Sequence, residues 1–281
     1  MKKYVLLGGA GYVAEKHYKA IKKTGGELIA ILDPHDNVGI LDSYFPNCQY
    51  FREFERFDRF CSGQDIDHTV VCSPNYLHDA HCRFGLRIGS DPICEKPLVL
   101  HERNLDGLLK LEESTGHKIW NILQLRLGAT DIYKKYISEW TGDKDAFLAY
   151  SVARGSWYNY SWKSNIEKSG NILFNIGIHL FDLLLFLFGQ DWTVKQWESR
   201  SDRHEVGTLL INDWVVDVDL EIFYSGKSNR ILDIGEEEFD LSKRFAGLHT
   251  VSYKQILAGK GFGIEEVRPA IALCEKLRSL T

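Results

Sequence analysis

The sequence has no two cysteines in C-x-x-C spacing. Its six cysteines, Cys48, Cys61, Cys72, Cys82, Cys94 and Cys274, are scattered over 281 residues, which signals neither a zinc site nor a disulfide framework. Cys72 and Cys94 lie inside apolar, strand-like runs, where a free thiol acts as a small hydrophobe. No metal is expected, and a reducing cytoplasm is the simplest compartment. A basic excess is lacking too. The formal net charge of −5 argues against nucleic acid as a partner, and Lys22-Lys23 and Lys134-Lys135 read as solvated helix faces. The opening MKKYVLLGGAGY breaks at glycines too early for a signal peptide. The longest apolar run, Ile178 to Phe188, contains Asp182 and falls short of the roughly 20 residues that span a bilayer, so no membrane partner is expected. Internal repeats, low-complexity tracts and Pro/Gly-rich linkers are absent. The remainder, 44% hydrophobic and 26% charged, is an ordinary globular composition, long enough for one large domain or two of usual size.

The first 120 residues alternate short β-rich runs (KYVLLG, ELIAIL, HTVVC, PIC) with helical segments near 12–24, 52–62, 76–88 and 101–115. This rhythm implies βαβ units and a parallel sheet covered on both faces. Beyond KIWNIL it changes. A helix over 129–140 precedes the alternating strand DAFLAYSVAR (145–154), and further strand-like runs follow from 192 to 234. INDW and YSGKSN read as hairpin turns, which makes an open, largely antiparallel sheet. Val267, Ile271, Cys274 and Leu277 share one face of a terminal helix. The expected fold is α/β: a doubly wound parallel sheet over residues 1–120, then an α+β domain over 121–281.

GAGYVA (9–14) follows the first strand and opens the first helix, the G-x-G-x-x-A form of a dinucleotide fingerprint. Gly9 permits the tight turn, Gly11 lets the backbone approach a pyrophosphate, and Ala14 allows close helix packing, with Tyr12 and Val13 between them. Asp33 ends the second strand, where an acid binds ribose hydroxyls and repels a 2′-phosphate. The expected cofactor is therefore NAD. VVCSPNYLH (70–78) and ICEKPLVL (93–100) also sit at carboxyl ends of strands, where open α/β sheets hold ligands. There Lys96 reads as a proton donor or relay pointing into the site. In GNILFNIGIHLFDLLLFLFG (170–189) a helix begun by Gly177 looks like core, with Asp182 supporting its start, yet His179 stands at its mouth and Asn171 and Asn175 just before it.

With GAGYVA, SPNYLH and EKP in this order, the chain resembles the glucose–fructose oxidoreductase / inositol dehydrogenase / MocA family, NAD(P)-dependent dehydrogenases of sugars and cyclitols. DPHDNVGILDSYFPNCQYFREFERFDR, ILQLRL, RGSWYNYSWK and LHTVSYKQILAGKGFGIEEVRPAI are similar to one branch, the UDP-N-acetyl-glucosaminuronate 3-dehydrogenases of bacterial surface-polysaccharide synthesis (lipopolysaccharide O-antigen type). The resemblance implies that Lys96 and His179 are catalytic, with either as the primary base. The family's usual D-x-G-x-H reads Asn175-x-Gly177-x-His179 here. An amide cannot act as a base, but it can orient a sugar hydroxyl. The resemblance also places Ser73, Pro74, Asn75, His78 and Glu95 along NAD, and Trp162 and Lys163 near its nicotinamide end. Gln124, Arg126, Arg154, Trp157 and Tyr158 become substrate contacts, since a uronate and a diphosphate call for cationic donors. The implied partner is a small nucleotide sugar, and the implied assembly is a dimer or tetramer. The alternatives are a dehydrogenase of the same fold for another nucleotide sugar, a free sugar or an inositol, and a non-catalytic dinucleotide-binding protein.

Overall fold

The computed structural model describes residues 1–133, 137, 139–244 and 247–281. Lys134-Lys135 and part of the helix expected over 129–140 lie outside the described residues. There are two compact units. The first comprises Met1–Val99, Arg103–Ile122 and His249–Val267; the second comprises Leu100–Glu102, Leu123–Leu248 and Arg268–Thr281. This differs from a single cut at 120, because His249–Val267 returns to the first unit. Tyr253 and Ile256 of that segment are buried in the same core as Tyr4, Leu6, Tyr18 and Ile93.

In the first unit, β1 (Lys3–Leu7), β2 (Glu27–Leu32), β3 (Gln49–Phe51), β4 (His68–Val71), β5 (Asp91–Cys94) and β6 (Trp120–Asn121) form a wholly parallel sheet. Its order is β3-β2-β1-β4-β5-β6. Helices α1 (Ala14–Lys23), α2 (Phe54–Cys61), α3 (His78–Arg87) and α4 (Arg103–Thr115) alternate with the strands. β4 is buried along its whole length, as a strand covered on both faces must be. Strand order reverses between β1 and β4, so the crevice there lies at the carboxyl edge of the sheet.

In the second unit, β7 (Asp145–Ala153), β8 (Trp192–Ser201), β9 (His204–Ile211), β10 (Trp214–Phe223), β11 (Asn229–Ile234) and β12 (Glu237–Asp240) form a sheet of order β12-β11-β7-β10-β9-β8. All neighbours are antiparallel except β7 and β10. Residues 212–213 do turn β9 into β10, with Asn212 at φ 51. YSGKSN is not a hairpin, because β7 lies between β10 and β11 and bonds to both. Leu148 of β7 pairs with Val218 and Leu232, and all three are buried. That central strand comes from far upstream, so nothing local to YSGKSN reveals it.

The helix Ile178–Phe188 packs on this sheet, with Phe188 stacked on Trp214 at 4.5 Å and Phe181 edge-on to Trp197 at 6.0 Å. It does not begin at Gly177, since Leu173–Gly177 already forms a π-helical turn leading into it. From Ile166 to Phe188 the helical stretch spans 23 residues, enough by length and composition alone to cross a membrane. Its most apolar part is 78% buried inside the protein, as in a core helix.

Candidate active site

The carboxyl edge of the first sheet gathers the predicted nucleotide residues. Register brings the strand ends level: Leu7 pairs with Leu32 and Val71, and Val71 with Cys94. The Gly9–Ala14 loop, Asp33, Ser73 and Glu95-Lys96 therefore leave neighbouring strands together. Gly8, which the motif does not count, has φ +96, and a Cβ there would lie 2.5 Å from the Cys72 carbonyl oxygen. Only glycine lets the loop pass so close to β4. Tyr18 Oη donates to the Gly9 carbonyl at 2.7 Å. The Asp33 carboxylate accepts from the Ala10 amide at 2.9 Å and from the His35 amide at 2.9 Å. This acid thus spans the glycine loop and the β2 end, with lone pairs left for ribose hydroxyls. Tyr12 is 88% exposed, whereas Val13 packs against the core and Ala14 is buried.

Several of the expected cofactor contacts are buried. Ser73 and Asn75 are buried, and Ser73 Oγ bonds His81 Nδ1 at 2.8 Å. His78 is 1% exposed, with Nδ1 2.6 Å from the Pro97 carbonyl and Nε2 2.8 Å from the Ser73 carbonyl. It ties the SPN and EKP loops to each other. Burial pushes its pKa down while the two carbonyl acceptors oppose that. Glu95 is likewise buried, on His17 and His249. Lys96 is half-buried between fully buried neighbours, so within ICEKPLVL it is the side chain set apart from the core.

The second unit holds the rest. Along the helical stretch that leads to Phe188, Asn171, Asn175 and His179 are partly exposed, while the residues among them are buried. Asn175 and His179, four residues apart, share one face of the helical stretch, while Asn171 stands at a left-handed turn before them, at φ 69. The π turn between them, a feature frequent at functional sites, runs through Asn175. Gly177 permits close packing, since a Cβ there would lie 2.7 Å from Phe181 Cε2. Asn175 Nδ2 donates to Tyr158 Oη at 3.1 Å, and Tyr158 Oη donates to the Lys163 carbonyl at 3.1 Å. Tyr158, expected as a substrate contact, is 4% exposed and instead fixes the Asn175 amide. Lys163 lies over the Trp162 ring, while Arg154 and Trp157 follow the end of β7, with Trp157 51% exposed.

Gln124 and Arg126 share the short helix Gln124–Gly128. Gln124 Oε1 is buried without a hydrogen-bond partner among the described residues, which suits a contact with a ligand. Arg126 is held by a carboxylate of its own unit. Its Nη2 and Nε donate to the two carboxylate oxygens of Asp182 at 2.6 and 3.0 Å, and both side chains are buried. Burial pushes the Asp182 carboxyl up and Arg126 pulls it back. Asp182 is thus the anchor of Arg126, not a support for the helix start.

No motif gives His17, His249 or Tyr253 a role, although His249 and Tyr253 lie within the run LHTVSYKQIL. His17 could have been found as a polar residue on the apolar face of α1; the other two depend on a segment distant in sequence.

Residues 2–122 match an oxidoreductase family with an NAD-binding Rossmann fold, and residues 146–209 match the same family's C-terminal alpha/beta domain. The chain belongs to the Gfo/Idh/MocA oxidoreductase family. Its first unit is an NAD-binding Rossmann domain. A solved structure of the WlbA (WbpB) dehydrogenase from Thermus thermophilus, in complex with NAD and UDP-GlcNAcA, is 36% identical and covers 100% of this chain and 96% of that one, with a TM-score of 0.93. The same Thermus protein in complex with NAD and alpha-ketoglutarate superposes equally well, at 37% identity with the same coverage and TM-score. Curated relatives are more distant. The 2,7-anhydro-N-acetylneuraminate hydratase of Mediterraneibacter gnavus is 27% identical over 66% of this chain and 49% of the relative. A putative UDP-kanosamine synthase oxidoreductase subunit of Amycolatopsis mediterranei is 30% identical over 46% of this chain and 36% of the relative. The chain spans about half, or less, of the length of these two curated relatives.

Proposed function

We propose that this oxidoreductase is an NAD-dependent dehydrogenase that oxidises the C3 hydroxyl of UDP-N-acetyl-glucosaminuronate to a 3-keto sugar nucleotide. Its setting would be the bacterial cytoplasm, in surface-polysaccharide synthesis. The observation that carries the reading is the likeness along the whole chain to the Thermus dehydrogenase that binds NAD and UDP-GlcNAcA.

Gly9, Gly11 and Asp33 would hold NAD, which when bound supplies the acceptor for the C3 hydride. The chain's own residues manage the proton. His179 takes the hydroxyl proton, since imidazole titrates near neutral pH. Lys96 donates a hydrogen bond to the same oxygen and stabilises its developing negative charge. Asn175, with its amide turned by Tyr158, orients the sugar. Gln124, Arg154 and Trp157 contact the uronate and diphosphate. The second sheet buries Leu148, Val216 and Val218 but leaves Phe147 and Val215 39% and 38% exposed on its other face, which supports assembly into a dimer or tetramer.

The purified protein with NAD and UDP-N-acetyl-glucosaminuronate is expected to form NADH and the 3-keto product. Lys96→Ala and His179→Ala should each lose roughly 10²–10⁴-fold in turnover, the usual worth of a positioned acid or base. Near-normal turnover in either variant removes that residue from the proton path.

A further inference from the structure

We propose that Glu95 is a positioning residue for Lys96, clamped by His17 of α1 and by His249 and Tyr253 of the helix Leu248–Leu257. The segment that returns from the C-terminal part of the chain would thus complete the working end of the dinucleotide-binding unit. This deepens the functional reading above and rests on its assignment of Lys96.

The clamp can be traced atom by atom. Glu95 Oε1 lies 3.1 Å from His17 Nε2 and 2.8 Å from His249 Nε2, and Tyr253 Oη lies 2.8 Å from His17 Nδ1. An ionised carboxylate only accepts, so both Nε2 atoms must carry hydrogens. A neutral His17 then has Nδ1 as acceptor, and Tyr253 donates to it. The His17 ring stands edge-on to the His249 ring at 5.2 Å. All four side chains are buried. One atom each of His17, Glu95 and His249 lie within 4.8 Å of one another, as metal ligands would, and here they are joined by hydrogen bonds.

Burial alone would raise the Glu95 pKa. The two imidazole donors outweigh it and hold the carboxyl well below the usual range. Burial holds the His17 pKa below its ordinary value, against the pull of Glu95. The side chain therefore stays charged inside the unit, next in sequence to Lys96. Other titratable groups that feel this charge are Cys72, Cys94 and His78. A buried carboxylate with such donors has one well-defined orientation, and it fixes the backbone from which Lys96 emerges. Glu95 N is also held, at 2.8 Å from the Val71 carbonyl. The clamp recruits α1, β5 and a helix more than a hundred residues further along the chain. The sequence alone gives no reason for the distinctive run LHTVSYKQIL to return to the first unit, and the clamp supplies one.

The test uses the full chain, with lysines reductively methylated with ¹³C and the Lys96 resonance followed by NMR against pH, alongside turnover. Glu95→Gln keeps the size of the side chain and removes its charge. The Lys96 resonance is expected to titrate at lower pH in this variant than in the unsubstituted chain. Turnover should fall about 10- to 100-fold, the cost of a small misplacement of a catalytic group, with the KM for the sugar nucleotide and the Kd for NAD within about threefold. His249→Ala should behave alike in turnover, and His249→Gln, which restores an N–H donor, should recover part of the loss. If Glu95→Gln does not fold, Tyr253→Phe removes only the hydroxyl and takes the same measurements, with a smaller change in the same direction. An unmoved Lys96 titration in a folded variant overturns the proposal. Turnover within twofold of the unsubstituted chain also overturns it. Should the unsubstituted chain fail to oxidise the uronate, the functional reading falls, and the Lys96 resonance still decides the positioning claim.

Discussion

Replacing Arg126 by alanine separates a structural role from a substrate contact, because the structure commits its guanidinium to Asp182. Asp182 is 2% exposed, and the pair is bidentate at 2.6 and 3.0 Å. Arg126→Ala would leave a buried carboxylate without its cation, which costs about 3–5 kcal/mol. At roughly 3 °C per kcal/mol for a domain of this size, the second unit should melt about 10–15 °C lower. Asp182→Asn should be milder, since it removes the charge that needs compensation. In the pair Arg126→Met/Asp182→Leu both ions are gone, and replacing a buried ion pair by apolar groups of similar size is often neutral or stabilising. Most of the loss should therefore return. The assay is thermal unfolding followed by tryptophan fluorescence, with all four proteins under the same conditions. A shift below about 3 °C for Arg126→Ala, or a double variant as unstable as the single one, would refute the reasoning. A large rise in KM with unchanged stability would restore Arg126 to the substrate.

Other outcomes follow from the same geometry. Asp33→Ala removes the acceptor of the Ala10 amide and the proposed acceptor of the ribose hydroxyls, so the Kd for NAD should rise about 10- to 100-fold in a fluorescence titration, in line with ~1.5–3 kcal/mol for hydrogen bonds to a charged group. The preference for NAD over NADP should narrow as well, and an unchanged Kd would detach Asp33 from the cofactor. Stability should fall as pH drops from 8 to 5. Burial lowers the pKa of His17 and His68, and lowers that of His81 from 6.5 to about 4. The unfolded imidazoles therefore take up protons more readily than the native ones below about 6.5, and stability is lost as the pH falls through that value. Down to pH 5, His81 alone sets an upper bound of about 2 kcal/mol, less its partial exposure. Denaturant midpoints at the two pH values check this, and equal midpoints contradict it.

Features whose chemistry is local were legible in the sequence. Gly9, Gly11, Ala14 and Asp33 lie within one βαβ unit, and their spacing alone carries the tight turn, the close packing and the acid at the strand end. Lys96 and His179 stand out because each is polar in an apolar run, and the family resemblance is what assigns them catalytic roles. What stayed hidden depends on pairs far apart in the chain. Arg126 meets Asp182 across 56 residues, and Glu95 meets His249 across 154. No periodicity links such residues, so Arg126 reads as a substrate contact and Glu95 as a cofactor contact. β7 entering between β10 and β11 is hidden for the same reason, since the turn signal in YSGKSN reports only that the chain bends there. Asn175 shows the opposite case. Its side chain is an amide, which cannot act as a base, but its hydrogen bond to Tyr158 appears only once the π turn and the aromatic stretch are folded together.

Every role proposed for the site depends on the oxidation of a nucleotide-sugar uronate at C3. It is tested most directly by incubating the purified chain with NAD and UDP-N-acetyl-glucosaminuronate, following NADH absorbance, and identifying the product by mass spectrometry and NMR. NADH formation with a ketone at C3 is expected, falling roughly 10²–10⁴-fold below the unsubstituted rate in Lys96→Ala and His179→Ala. Oxidation at another carbon, or turnover of a free sugar or an inositol with none of the uronate, would contradict it.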